Sequence, residues 1–139
     1  MKMKATEELM TRFYQHLGEL FYAVAMVDGV VRKEEEDALK KIITQEWKDL
    51  EHSEDEFHSD AAFQIEAVFD FLNETEANSE EWFDDFKAFH KTHEHLFTPQ
   101  VNKLIMRTAD EIASSFHNKN KSELTILTRL NFILSGAVL

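Results

Sequence analysis

The stretch Leu20-Phe21-Tyr22-Ala23-Val24-Ala25-Met26-Val27-Asp28-Gly29-Val30-Val31-Arg32-Lys33-Glu34-Glu35-Glu36 decides how this chain is read. At about 100° per residue, Leu9, Phe13, Leu17, Leu20, Val24 and Val27 fall on one arc, so the spacing predicts an amphipathic helix over 5–27. Asp28-Gly29 ends it. Glycine enters the left-handed conformation without a Cβ penalty, and aspartate tolerates turn geometry through local side-chain hydrogen bonds. Glu34, Glu35 and Glu36 then occupy the first turn of a new helix, where unpaired N–H groups and the helix dipole favour negative charge.

The carboxylates of this turn are the candidate site. Laid against an EF-hand calcium loop, Asp28 takes position 5, Gly29 position 6 and Glu35 position 12, but positions 1 and 3 are Val24 and Met26, which offer no side-chain oxygen. The missing oxygens at positions 1 and 3 therefore disfavour a full EF-hand site. Two readings of Glu35 stay open: a capping residue that accepts from turn amides, or a member, with Asp28, Glu34, Glu36 and Asp37, of a carboxylate patch that holds a divalent metal ion weakly.

Residues 24–42 align without gaps on 112–130, pairing Ala25 with Ala113, Lys33 with Lys121, Glu35 with Glu123, Leu39 with Leu127 and Ile42 with Leu130. The second copy has Phe116-His117 in place of Asp28-Gly29 and keeps the glutamate, with Asn120 three residues ahead of it as a capping box. A helix rich in Ala and Val, ending at Asp-Gly and followed by a run of Glu, resembles the signature hairpin of the TerB-like (tellurite resistance protein TerB) family. The resemblance is strongest over 17–43, with the echo over 109–134. It implies an all-α bundle of about six or seven helices built from two pseudo-repeated helical hairpins. It also implies a non-enzymatic cytoplasmic protein of stress and tellurite resistance, with acidic residues that bind metal and with protein partners in a stress-response complex.

Composition bounds the rest. The 139 residues suffice for one domain, 1–139, with a real core. Hydrophobic residues make up 43% and aromatics 12%, with twelve Phe, so the chain is not of disordered composition. Three Gly and one Pro leave few turns, which favours long helices over sheet. A formal charge of −12 disfavours nucleic acid and anionic membrane as direct partners. The absence of cysteine removes disulfides, thiolate metal sites and cysteine nucleophiles. No run reaches the roughly 18 to 20 apolar residues of a spanning helix, so a soluble cytoplasmic protein without membrane insertion is expected.

Beyond the first hairpin, helices are predicted over 33–50, with Glu46 inside the apolar arc, and over 57–73, where Phe63 and Phe71 fall off the main stripe. Such a helix is either central to the bundle or an oligomer face, and with Tyr22 these aromatics point to a homo-dimer. Asn78 caps a helix that places Trp82, Phe83, Phe86, Phe89, Leu96 and Phe97 on one arc, with His93 near its centre and His90 at its edge. Thr98-Pro99 opens the next helix, and Gly136 ends the last. The acidic run Glu51-His52-Ser53-Glu54-Asp55-Glu56 reads as a linker.

Other functions have thinner support. His90, His93 and His95 invite a zinc reading, but the zinc-protease helix needs His at i and i+4 with Glu between them. No Gly-rich phosphate loop, nucleophile elbow or His-Glu-x-x-His helix occurs. A metal-assisted hydrolase would need His90 and His93 to converge with Asp28 or Glu46 in one pocket. A homo-oligomeric scaffold without ligand is the other alternative.

Overall fold

The computed structural model describes residues 2–47, 56–115 and 120–136, with side chains described from residue 8 onward and, in the third helix, from residue 63. Among these the chain forms six α-helices and no strand. They are α1 Lys2–Ala25, α2 Lys33–Ile42, α3 Glu56–Thr75, α4 Ser79–Thr92, α5 Pro99–Ser114 and α6 Lys121–Ser135. A π-helical turn, Ile43–Trp47, extends α2, and a 3₁₀ turn, Glu94–Leu96, joins α4 to α5.

Helix α1 is the centre of the bundle. It packs against α3, α4 and α5, while α2 lies on α5 and α5 on α6. Every residue of α1 from Leu20 to Ala25 is fully buried, as are Tyr14 and Leu17. Gly18 explains how α3 comes so close: a Cβ built there would stand 2.7 Å from the Ile65 carbonyl oxygen and 2.9 Å from Val68 Cβ. Only glycine fits that crossing.

Local signals act where they were read. Asn78, Thr98 and Asn120 accept hydrogen bonds from the backbone N–H three residues on, in Glu81, Val101 and Glu123. Pro99 stands at the start of α5, and Gly136 takes the left-handed conformation with φ 76°. Gly29 does the same in the first turn, with φ 96°. There α1 ends at Ala25, two residues earlier than the spacing predicts, because the Val27 and Gly29 amides bond carbonyls three residues back, Val24 and Met26, and tighten the chain into a turn.

Two expectations are corrected, for Tyr22 and the α4 arc, and one alternative left open, for α3, is decided. Tyr22 is fully buried, its hydroxyl donating to the Ala77 carbonyl at 2.6 Å, so it contributes to the core and not to an oligomer face. Helix α3 is not central: Ile65, Phe69 and Leu72 are buried, whereas Phe63 is 41% and Phe71 65% exposed. The arc drawn through α4 breaks at Thr92, and Phe97 reaches the core from beyond the 3₁₀ turn, where it packs edge-on against Phe13 and Phe86. Of the predicted linker at 51–56, residues 51–55 lie outside the described residues and Glu56 opens α3.

The core is one cluster drawn from all six helices. Trp47, delivered by the π-helical turn, packs edge-on to Tyr14 and Phe21 and donates its indole N–H to the Thr108 hydroxyl at 2.9 Å. The Thr108 hydroxyl in turn donates to the Leu104 carbonyl at 2.8 Å, so the buried polar chain is satisfied. Among the described residues no helix is long and apolar enough to cross a membrane.

Candidate functional site

The first turns of α2 and α6 are built alike. In each, the third helical residue is a buried glutamate that reaches back to the N–H of the residue before the helix: Glu35 to Arg32 at 2.7 Å and Glu123 to Asn120 at 2.9 Å. Glu35 is 1% exposed and Glu123 5%. The capping role read for Glu35 is thus formed, and the second glutamate repeats it.

The two turns are brought together at Asp28. Its Oδ2 accepts from Arg32 Nη1 at 3.1 Å and from Asn120 Nδ2 at 3.3 Å, which ties the end of α1 to the starts of both α2 and α6. Glu35 feels this assembly: burial pushes its carboxyl up to about 7, the Arg32 N–H opposes that, and the charges of Asp28 and Glu123 raise it further. Two buried oxygens, Asp28 Oδ1 and Glu35 Oε2, have no hydrogen-bond partner. An unpaired buried carboxylate oxygen costs free energy that a cation or a proton relieves.

The donors here are all carboxylate oxygens, the kind a hard divalent cation takes, but Arg32 already supplies a positive charge to Asp28. The ligand atoms of Asp28, Glu35 and Glu123 do not all lie within 4.8 Å of one another, so an ion there would have to draw them together. The other three predicted ligands point elsewhere. Glu36 accepts from Asn73 of α3 at 3.2 Å, Asp37 is exposed and pairs with Lys33 at 3.3 Å, and exposed Glu34 borders a shallow groove with Glu46, Arg107 and Glu111. Three successive acidic positions on a helix diverge by about 100° each, so no one face holds them all. Glu123 instead lies close enough for its charge, with that of Asp28, to act on Glu35, whereas the gapless alignment pairs Glu35 with Glu123 only as equivalent positions and matches Asp28 to Phe116.

The histidines have other partners. His90 is buried against Phe86 and Phe97, and burial lowers its pKa, favouring the neutral ring. His93 lies in the turn after α4, its Nδ1 3.1 Å from Phe89 O. Glu46 is held by the Arg107 guanidinium through contacts of 2.8 and 2.7 Å, so it is satisfied at the core's edge.

One constellation escaped the sequence. His16 and Glu19, one turn apart on α1, meet Asp85 of α4, with His16 Nδ1 2.9 Å from Glu19 Oε1 and 3.3 Å from Asp85 Oδ2. Burial lifts the Glu19 carboxyl to about 7, the His16 contact opposes this, and Asp85 adds to it. The pair His16 and Glu19 at i, i+3 was the only signal available; Asp85 arrives through the tertiary fold.

Compared with known proteins, the chain matches no family model, no curated protein and no solved structure.

Proposed function

We propose that this protein is a non-enzymatic, TerB-like interaction module of the cytoplasm, acting in stress or tellurite resistance, in which a divalent cation binds at Asp28, Glu35 and Glu123. The observation that carries the reading is Glu35, 1% exposed, with one oxygen capping α2 and the other unpaired. Its carboxyl stands where the end of α1 and the starts of α2 and α6 meet, so a cation there tightens contacts between elements distant in sequence. The matching first turns of α2 and α6 support two pseudo-repeated hairpins as the origin of the fold.

The all-oxygen donor set favours calcium, magnesium or manganese over softer ions. Such an ion orders the junction and presents it to protein partners. The exposed Phe71 and Phe63 on α3 offer a surface for contact with those partners, a second copy of the chain included.

Chelator-treated protein titrated with calcium, magnesium and manganese tests this reading. A cation that binds only the native state at 100 times its Kd adds about 2.7 kcal/mol, and Tm rises accordingly. The rise is expected to vanish in Asp28→Ala and in Glu35→Gln. Absence of any rise in the parent protein overturns the metal reading and leaves Glu35 and Glu123 as caps.

A further inference from the structure

The face between α1 and α4 carries a second set of donors, unrelated to the Asp28 junction. His16 stands nine residues before the end of α1 at Ala25, about 13 Å along the helix axis, and Asp28 lies in the turn beyond that end. Among the described residues, His16, Glu19 and Asp85 are the one group of three whose ligand atoms all lie within 4.8 Å of one another. We propose that His16 Nδ1, a Glu19 oxygen and an Asp85 oxygen bind a divalent transition-metal ion of the zinc class, with water completing its coordination.

Geometry is the first support. Ligands about 2.1 Å from a tetrahedral ion stand roughly 3.4 Å apart. The contacts of Nδ1 to Glu19 and Asp85, at 2.9 and 3.3 Å, lie near that spacing already. A single imidazole nitrogen thus faces two carboxylates at once, which one proton on that nitrogen serves less well than one ion among the three.

The second support is how firmly the imidazole is held. The His16 ring stacks on Phe89 of α4 with centroids 4.1 Å apart and planes inclined by 21°. Phe89 in turn stacks with His93 at 4.2 Å and 15°. Packing therefore fixes the ring whose nitrogen points at Glu19 and Asp85, and a ligand already oriented loses little freedom on binding.

Charge is the third. Several other carboxylates have basic partners: Asp28 has Arg32, Glu46 has Arg107, Glu80 has Arg129, and Glu66 and Asp70 face Lys40. Among the described residues no lysine or arginine pairs with Glu19 or Asp85; only His16 does. Two carboxylates converge there with one weakly basic ring, and a divalent ion balances them. The side chains of His16, Glu19 and Asp85 are 20, 15 and 44% exposed, shielded enough to strengthen the attraction and open enough to admit an ion.

The donor set selects the ion. Imidazole nitrogen suits zinc, copper, iron or nickel, whereas calcium and magnesium prefer oxygen throughout. Three protein ligands leave one position of a tetrahedral zinc to water. This separates the site from the Asp28 junction both in place and in preference.

The test uses tag-free, full-length, chelator-treated protein, titrated with zinc by calorimetry and with cobalt(II) by visible absorption. One equivalent of either ion is expected to bind, and cobalt to develop ligand-field bands of a four- or five-coordinate centre. His16→Gln and Asp85→Asn are each expected to weaken binding by more than the roughly 10- to 100-fold that loss of an outer-shell partner alone costs. Asp28→Ala, with its helicity checked by circular dichroism, is expected to leave zinc affinity unchanged. Failure of zinc to bind the parent chain overturns the proposal, as does undiminished affinity in folded His16→Gln and Asp85→Asn. Because the Asp28 reading is tested with calcium, magnesium and manganese, either can fail while the other stands.

Discussion

The charge of Glu123 bears on the buried carboxyl of Glu35, although the two stand in the first turns of different helices. Each is held by the N–H three residues before it, and Asp28 spans between them through Arg32 and Asn120. A junction made of three carboxylates and one guanidinium is sensitive to protons and to cations alike.

The contribution of Glu35 and Glu19 to the stability of the metal-free protein is expected to fall as pH rises from about 4.5 to 7 and to level off above that. It is opposed below pH 6.5 by His90, whose lowered pKa gives the opposite slope. Both Glu35 and Glu19 are raised from 4.5 to about 7, by burial first. The folded protein therefore holds protons across that window that the unfolded chain has released, and the stabilisation is lost as pH passes the folded value. Melting temperature measured across this range checks it. Glu35→Gln and Glu19→Gln should each flatten part of the slope, and an unchanged slope in the double variant would contradict the assignment.

Gly18→Ala is expected to destabilise the fold by about 1–2 kcal/mol. Alanine gains up to about 1 kcal/mol of helix propensity over glycine, but overpacking costs about 1–3 kcal/mol. The obstruction is the Ile65 backbone carbonyl at 2.7 Å, which cannot swing aside without moving α3. The clash outweighs the propensity. Urea denaturation of the two proteins measures the difference, and a stabilised Gly18→Ala would show that α1 and α3 are less close.

Thr108→Val keeps the volume and removes the acceptor of Trp47 Nε1. Leaving that buried N–H unpaired costs about 1–3 kcal/mol. In a double-mutant cycle with Trp47→Phe the two losses should be strongly non-additive, since the second change removes the donor that the first orphans. Additive losses would mean the hydrogen bond contributes little.

Phe71→Glu is expected to leave folding stability within about 0.5 kcal/mol of the parent, as substitutions at exposed positions generally do. The same change should weaken whatever self-association the parent shows in sedimentation equilibrium, because a charge replaces an aromatic ring that is 65% exposed. Unaltered self-association would remove α3 from the interface.

What the sequence by itself determined is what four or five residues settle among themselves. Asn78, Thr98, Asn120, Glu35 and Gly136 act on amides within one helical turn, so spacing and residue type sufficed to place helix ends and the all-α class. Glu46 at the core's edge was legible for a related reason, since it follows from periodicity along one helix.

Only the tertiary structure decided which carboxylates share a site. A run of Glu34, Glu35, Glu36 and Asp37 looks like one patch in a line of text, but helical rotation scatters it, and packing buries Glu35 alone within reach of the charges of Asp28 and Glu123. The burial of Tyr22 depends on the Ala77 carbonyl, and the His16, Glu19 and Asp85 group on the contact of α1 with α4. Those partners are separated by dozens of residues, and no local rule of spacing carries information about which faces of two helices will be pressed together.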